Sequence, residues 1–212
     1  MTTGRFIVVD GPSGTGKSTV TRLLVDLLAA AGEQVLLTQE PSDGPIGRLA
    51  RAGTHEYRGI ELAALVIADR YHHLHTVVRP AVAAGKIVLC DRYLPSSLVL
   101  QEADGVPQEI VWAMNTDVDR PNLTVLLLAD PGHSRQRVRQ RGIYSRFHLA
   151  IPDERRRYEQ LVRPLFEAGH RPVTCEIGNR DADAVASGLV DLVLDPTDVQ
   201  DAATADRDTT SS

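Results

Sequence analysis

One stretch near the amino terminus has the residue types and the spacing that phosphate binding requires. Positions 6–19 read FIVVDGPSGTGKST, and this string fits the pattern Gly-x-x-x-x-Gly-Lys-Ser/Thr. Glycines let the backbone turn its amide hydrogens inward, a lysine reaches the outer phosphates, and a hydroxyl can hold magnesium. The pattern therefore predicts a nucleoside triphosphate site. Its predicted members are Gly11, Pro12, Ser13, Gly14, Thr15, Gly16, Lys17, Ser18 and Thr19.

A second candidate group is an acid and a base that follow an apolar run. The segment KIVLCDRY places Asp91 and Arg92 directly after a predicted strand. An acid at a strand end beside a phosphate loop can hold the shell of a magnesium ion or a substrate hydroxyl. A neighbouring arginine can form two hydrogen bonds to a phosphate. The alternative interpretation is a simple salt bridge between these two side chains.

A third candidate group is a basic stretch in the second half of the chain. Five arginines lie between positions 135 and 146, and the segment after Gly142 is typical of a mobile flap between two helices. A flap that brings an arginine over a triphosphate suits phosphoryl transfer, because negative charge spreads over the transferred group. We assign this role to at least one of Arg141 and Arg146.

Three histidines on a predicted long helix raise the question of a metal site. His72 and His73 point about 100° apart on a helix, so that at most two of His72, His73 and His75 share a face. No cysteine or acid nearby in the sequence completes a ligand set. We therefore expect these histidines to be partly exposed on the helix and to bind no metal.

These candidates are positioned by strands that alternate with helices. Apolar runs predict strands at Phe6–Val9, Val35–Leu37, Ile87–Cys90, Val125–Leu128 and Val173–Ile177. Helical patterns cover Lys17–Ala31, Ile60–Ala84, Pro107–Asn115, His133–Arg141, Asp153–Ala168 and Ala182–Leu194. This alternation predicts an α/β fold with a parallel sheet covered on both faces and ligands at the carboxyl ends of its strands. We expect one domain over 1–194, a lid at about 142–153, and a disordered tail over 195–212.

Composition narrows the classes of partner. The chain has 212 residues and a net charge of −5, which argues against a broad nucleic-acid surface. Cys90 and Cys175 lie in apolar runs, and we expect buried free thiols in a reducing compartment. The first predicted strand begins almost at once, which leaves no room for a signal peptide, and no run is long enough to cross a membrane. We therefore expect a cytoplasmic protein without membrane partners.

Several motifs taken together resemble the thymidylate kinase family of nucleoside monophosphate kinases. DGPSGTGKST, TQEPSDGPIGRLAR, IADRYHH and DRYLPSSLVLQ occur in that family's order and approximate spacing. The resemblance covers nearly the whole chain to about Val193. It implies the three-layer fold of P-loop nucleoside triphosphatases with a five-stranded parallel sheet, a homodimer, and transfer of phosphate from ATP with Mg²⁺ to dTMP.

The resemblance also implies roles for individual residues. Lys17, Arg92 and the flap arginine Arg146 neutralise the transferring group, while Arg141 contacts ATP. Asp91 and Glu40 order the substrate and the magnesium shell, with Ser18 and Asp91 as metal ligands. Arg70 faces the base, and Gln101 lies near sugar and base. The implied substrate-binding set is Asp10, Glu40, Arg51, Val66, Arg70, Arg92, Ser97, Leu100, Gln101 and Tyr158.

The departures from the family pattern all fall on the nucleoside side. Ser13 stands where the family commonly has an acid, Gln39 replaces an arginine, and Val66 and Leu100 replace aromatic residues. Losing an aromatic face removes about 0.5–1.5 kcal/mol of stacking. These differences leave open an acceptor other than dTMP, namely another or modified pyrimidine nucleoside monophosphate such as CMP, UMP or dUMP. Two further alternatives are a non-catalytic nucleotide-binding regulator and a nucleoside kinase.

Overall fold

The fold is built on one sheet of five parallel strands. A computed structural model describes residues 4–130, 151 and 153–196. The strands are β1 (Arg5–Asp10), β2 (Val35–Gln39), β3 (Ile87–Asp91), β4 (Leu123–Leu128) and β5 (Pro172–Glu176). They lie side by side in the order β2-β3-β1-β4-β5, and every neighbouring pair is parallel. The predicted α/β fold with five parallel strands is confirmed.

The central strand β1 shows why this sequence forms a covered sheet. Its apolar residues alternate between the two faces, with Phe6 and Val8 in one core and Ile7 and Val9 in the other. Since all four side chains are at most 4% exposed, both faces are covered. Continuous apolar strands of this kind are typical of parallel sheets with helices on both sides.

Ten α-helices cover the sheet within the described residues. They are α1 (Lys17–Ala30), α2 (Pro45–Ala52), α3 (Gly59–His73), α4 (Arg79–Ala83), α5 (Leu94–Ala103), α6 (Gln108–Met114), α7 (Glu154–Gln160), α8 (Val162–Glu167), α9 (Ala182–Ser187) and α10 (Val190–Leu194). Helices α1, α9 and α10 contribute to the core on one face of the sheet. The core on the other face draws on α3, α5, α6, α7 and α8, which confirms the predicted three layers.

Two short helices, α2 and α5, were absent from the sequence prediction. Both have a proline in the first turn, where a missing backbone donor costs nothing. Helix α5 is buried around most of its circumference, so that its sequence lacks a polar face and shows little helical periodicity. The predicted long helix at Ile60–Ala84 is also not one regular α-helix, because a π-helical turn at Leu74–Val78 separates α3 from α4.

The structure also bears on the predictions for the two cysteines and for membrane-spanning segments. Cys90 and Cys175 are both free; Cys90 is buried as expected, whereas Cys175 is only half-buried because β5 is an edge strand. Across the described ranges, no helix combines the length and the apolar character that a membrane span needs. The predicted helix His133–Arg141, most of the lid, and positions 197–212 lie outside the described residues and stay predictions.

Candidate active site

The phosphate loop connects the carboxyl end of β1 to the first turn of α1. Gly11, Gly14 and Gly16 have φ angles of 139°, 79° and 94°, a region that glycine adopts without strain. A Cβ atom on Gly11 would lie only 2.2 Å from the carbonyl oxygen of Leu127 on β4. The loop therefore needs glycine at this position to pass over the neighbouring strand.

Lys17 is turned inward onto its own loop. Its ammonium donates hydrogen bonds to the carbonyl oxygens of Gly11 and Pro12, both at 2.7 Å. The side chain is 5% exposed. Burial, and secondly the positive charge of Arg92, lower the pKa of Lys17 to about 8. An anion that enters the loop would favour the charged form of this lysine and give it a better partner than a carbonyl.

The other loop residues are held by short local contacts. The Thr15 hydroxyl donates to the carbonyl of Pro12 at 3.0 Å, and the Thr19 amide donates to the carbonyl of Gly16 at 2.9 Å. Ser13 is buried at the tip of the loop. These contacts fix the shape of the loop where it enters α1, and the positive end of this helix favours an incoming anion.

Ser18 and Asp91 meet where β1 and β3 lie side by side. Register pairs Val9 with Asp91, and the Ser18 hydroxyl donates to Asp91 Oδ2 at 2.5 Å. The other carboxylate oxygen, Oδ1, is buried and has no hydrogen-bond partner among the residues that the structure describes. A buried carboxylate oxygen without a partner is costly, and a hydroxyl and a carboxylate are oxygen ligands of the kind that Mg²⁺ prefers. The two residues therefore fit a magnesium ion.

Arg92 follows Asp91 in a backbone conformation that side-chain-bearing residues rarely adopt. Its φ angle is 74°, and its amide donates to the carbonyl of Val9 at 3.0 Å. The guanidinium donates to the Ser96 hydroxyl at 3.0 Å and is half-buried. Within the described residues no salt bridge joins Arg92 to Asp91, so the alternative of a strand-end pair is wrong. The guanidinium keeps donors for a phosphate.

Asp10 ends β1 and joins three parts of the site. The residue is fully buried. Its carboxylate accepts hydrogen bonds from the amides of Gly11, Tyr93 and Ser96 and from the hydroxyls of Ser96 and Tyr158. It thus fixes the phosphate loop to the turn that carries Arg92 and to α7. Its predicted contact with substrate stays a prediction.

Arg70 lies in the interior beside this site. Its guanidinium donates to Glu40 at 2.7 Å, to Asn115 at 2.6 Å and to Ser97 at 2.8 Å, and it lies over the Tyr93 ring at 4.9 Å. The side chain is 1% exposed. The arginine therefore connects β2, α3, α5 and α6. A contact with the acceptor base, as the resemblance implies, stays a prediction.

His73 continues the same network. Its ring is 1% exposed; Nδ1 lies 3.3 Å from Glu40 and Nε2 lies 2.7 Å from the Thr38 hydroxyl. The expectation of partly exposed histidines is wrong at this position, although His72 and His75 are exposed. The sequence does not show this burial, because Glu40 comes from the end of β2 rather than from the same helix.

Glu40, His73 and Cys90 together contradict one step of the metal argument. Their possible ligand atoms lie within 4.8 Å of one another, so that an acid and a cysteine do accompany a histidine. Glu40 is nevertheless paired with Arg70, and the remaining ring nitrogen of His73 is bonded to Thr38. A neighbouring guanidinium disfavours a cation, so the group acts as a hydrogen-bonded network.

The remaining predicted acceptor residues have the following contacts and burial. Arg51 donates to the carbonyl of Pro41 and, at 2.7 Å, to Asp43. Gln101 is 3% exposed, and its side-chain oxygen has no partner within the described residues. Val66 and Leu100 are half-buried. Tyr158 is fully buried with its hydroxyl 3.1 Å from Ser96, and burial raises its pKa.

Glu154 is a site residue that the sequence did not indicate. It is the first residue of α7, and its Oε1 accepts hydrogen bonds from the Ser13 amide at 3.0 Å and from the Ser13 hydroxyl at 3.3 Å. No motif marks this acid, since 141 positions separate it from Ser13. The predicted lid arginines Arg141 and Arg146 lie outside the described residues.

Comparisons with known proteins bear on the whole chain. The family model for thymidylate kinase matches residues 9–179. Thymidylate kinase of Xanthomonas oryzae pv. oryzae (strain PXO99A) is 36% identical over 184 residues, which cover 86% of this chain and 79% of that protein. The probable thymidylate kinase of Pyrobaculum aerophilum is 36% identical over 176 residues, with 79% of this chain and 90% of the relative covered.

A solved structure supports the fold. The crystal structure of thymidylate kinase from Ehrlichia chaffeensis superposes with a TM-score of 0.70 at 21% sequence identity. The match covers 90% of this chain and 98% of that one. The shared architecture is a P-loop fold of the type that the motifs predicted.

Proposed function

The chain belongs to the thymidylate kinase family, and we propose that it transfers the terminal phosphate of ATP to dTMP. The proposal makes the enzyme an ATP-dependent phosphotransferase with two products, ADP and dTDP. It rests on family membership for the identity of the substrates. It rests on the site itself for the capacity to catalyse the transfer.

One observation carries the proposal: the phosphate loop after β1 and the Asp91–Arg92 pair after β3 meet at adjacent strand ends. The Ser18–Asp91 hydrogen bond at 2.5 Å joins the two segments directly. Because the strands are parallel neighbours, groups from both segments can act on one phosphate chain. A binding module that only held ATP would not need the second cation, Arg92, at this place.

Mg²⁺ would be held by the Ser18 hydroxyl and the Asp91 carboxylate. Asp91 Oδ1, which accepts no hydrogen bond from the described residues, would supply one ligand. When bound, the ion would neutralise part of the negative charge on the ATP phosphates. Metal and ATP are a single substrate unit in this proposal.

The protein's own groups then act through alignment and charge. The acceptor is already an anionic phosphate oxygen, so the reaction does not need a strong general base. The main obstacle is repulsion between two anions, which Lys17 and Arg92 reduce from two sides of the transferring group. Arg146, with Arg141 on ATP, is proposed to add positive charge from the lid.

The acceptor is proposed to bind beside the Arg70 network. Glu40 and Ser97 bond to Arg70, and Gln101 lies one turn after Ser97 on α5. Arg51 donates to the carbonyl of Pro41, the neighbour of Glu40. The side-chain oxygen of Gln101, which has no partner among the described residues, can accept a hydrogen bond from sugar or base. Val66 and Leu100 provide aliphatic rather than aromatic contact to the base. We expect weaker stacking and hence weaker discrimination among pyrimidines than an aromatic wall would give.

We also propose a homodimer in the cytoplasm. Exposed apolar side chains on α2 and α3, Leu49 at 47% and Ile60 at 52%, are candidate contacts for the second subunit. Sedimentation velocity on the purified protein tests the dimer, and a monomer at all accessible concentrations contradicts it.

A panel of acceptors tests the proposed function. Purified enzyme is given ATP and Mg²⁺ with dTMP, dUMP, UMP, CMP, dCMP or thymidine, and ADP release is followed in a coupled assay. The proposal predicts the highest kcat/KM for dTMP. A higher value for another monophosphate would redirect the acceptor assignment, turnover of thymidine would indicate a nucleoside kinase, and no turnover at all would indicate a regulator.

A further inference from the structure

The carboxylate of Glu154 occupies one of the hydrogen-bond donors of the phosphate loop. Its Oε1 accepts from the Ser13 amide at 3.0 Å and from the Ser13 hydroxyl at 3.3 Å. Ser13 lies between Gly11 and Gly16, within the segment whose amides bind phosphate oxygens in loops of this spacing. A carboxylate oxygen on such an amide takes the place that a phosphate oxygen would take, because both are anionic acceptors.

We propose that Glu154 competes with the phosphates of ATP for the Ser13 amide and thereby sets the affinity of the loop for its donor nucleotide. One amide hydrogen cannot serve two anionic acceptors at full strength. A carboxylate that stayed in place would also repel the incoming phosphates. The inference rests on the proposed function, since it takes ATP as the ligand of the loop.

In this structure the cation of the phosphate loop is bonded to the loop itself. Lys17 donates to the carbonyls of Gly11 and Pro12, and the charges of Lys17 and Glu154 favour each other's ionised form. Burial, the largest influence, raises the pKa of Glu154, whereas Ser13, Lys17 and Arg92 oppose that rise. The carboxylate is therefore partly desolvated, and it is attracted by the same cations that the phosphates need.

Helix α7 has a second contact with the site besides Glu154. Tyr158 lies one turn further along the helix and is fully buried. Its hydroxyl lies 3.2 Å from Asp10 and 3.1 Å from Ser96. A change at position 154 can therefore alter the loop while the helix stays docked. The contact with Ser13 is available for exchange with a ligand.

The experiment compares Glu154→Gln with Glu159→Gln. Both variants remove one negative charge from the same helix, but Glu159 is paired with Arg155 at the surface and does not touch the loop. Isothermal titration calorimetry measures Kd for ATP and Mg²⁺ without acceptor, and then for dTMP without ATP. We expect Glu154→Gln to bind ATP about three- to tenfold more tightly, with the Kd for dTMP changed less than about twofold. Glu154→Ala should show at least the same gain.

Three outcomes overturn the inference. Weaker ATP binding by Glu154→Gln would mean that the carboxylate supports the donor. Weaker dTMP binding with unchanged ATP binding would assign Glu154 to the acceptor. Unchanged Kd values for both ligands would leave it a structural contact. Circular dichroism and thermal unfolding confirm that the variants are folded. Because ATP binding is measured alone, failure here is separate from failure of the acceptor panel.

Discussion

Two groups of charged side chains lie side by side in this molecule and are held in different ways. The donor group, Lys17, Ser18, Asp91 and Arg92, keeps unused capacity within the described part of the chain. There, one Asp91 oxygen has no partner, and Lys17 donates only to loop carbonyls and a threonine hydroxyl. In the Arg70 network, which comprises Glu40, Arg70, His73, Ser97 and Asn115, the charged groups are already paired and buried.

Because the two groups are held differently, we expect substitutions in one group to affect mainly turnover and substitutions in the other to affect mainly stability. Groups with unused capacity can change partners when nucleotides bind, and so their loss should reduce turnover more than it reduces stability. Groups that satisfy one another in the interior should behave in the opposite way, because removal of one leaves a buried partner unpaired. Single substitutions in the two groups test this contrast.

The largest effect is expected for Lys17→Met. Removing the loop cation should lower kcat by about 10³-fold, since charge on the transferring phosphate loses a preorganised partner. The coupled ADP-release assay measures this loss. The control is Lys86→Met, a change at the only other lysine of the chain, which should leave kcat within about twofold. Equal turnover of the two variants would contradict the donor assignment.

The substitution Arg70→Met should make the protein less stable. It leaves Glu40 as an uncompensated buried charge, and we expect the free energy of unfolding to fall by about 3–5 kcal/mol. Urea denaturation followed by circular dichroism measures the change.

The matched variant in the donor group is Arg92→Asn, because asparagine tolerates the positive φ angle of this position. It should change the unfolding free energy by less than about 1 kcal/mol and yet lower kcat by about 10²-fold. If Arg92→Asn were the less stable of the two variants, the contrast between the groups would fail.

His73→Gln should have a smaller effect on stability. Glutamine can reach only part of the Thr38–His73–Glu40 chain, and we expect a loss of about 1–3 kcal/mol. The exposed neighbour offers a control, since His72→Gln should stay within about 0.5 kcal/mol. Thermal and urea unfolding of the pair measure the difference. Equal stability of both variants would remove His73 from the network.

The smallest effect concerns the proton on Lys17. Its pKa is lowered to about 8, so that the free enzyme loses this charge as the pH rises through that value. Bound phosphates favour the charged form of Lys17. ATP binding should therefore be accompanied by proton uptake at pH 8.5, and by almost none at pH 7, where Lys17 is already charged. Calorimetry in two buffers of different ionisation enthalpy measures the uptake. Lys17→Arg should abolish it, because arginine stays charged; uptake that persists in this variant would assign the proton elsewhere.

The same contrast explains what the sequence could predict. The donor group was found because its members follow two strands and one contiguous motif, so that spacing along the chain translates into proximity. The Arg70 network joins Glu40, Arg70 and Asn115 from separate elements, and nothing at position 115 marks it as a partner of position 70. Family resemblance supplied Glu40 and Arg70 but not their burial.

Glu154 and the helices α2 and α5 were missed for related reasons. A single acid among the charged residues 153–157 carries no signal until the fold places it on the phosphate loop. Helix α5 lacks a polar face because it is buried on most sides, so that the helical periodicity on which the prediction relied is weak there. Local patterns thus predicted the sheet, whereas contacts between residues far apart in the sequence could be recognised only in the folded structure.

A crystal structure with dTMP and a non-hydrolysable ATP analogue bound together tests the central claim most directly. We predict that Lys17 has left the carbonyls of Gly11 and Pro12, and that its ammonium and the Arg92 guanidinium both lie within hydrogen-bond distance of the phosphates between the two nucleotides. A complex in which both side chains point away from those phosphates would contradict the account.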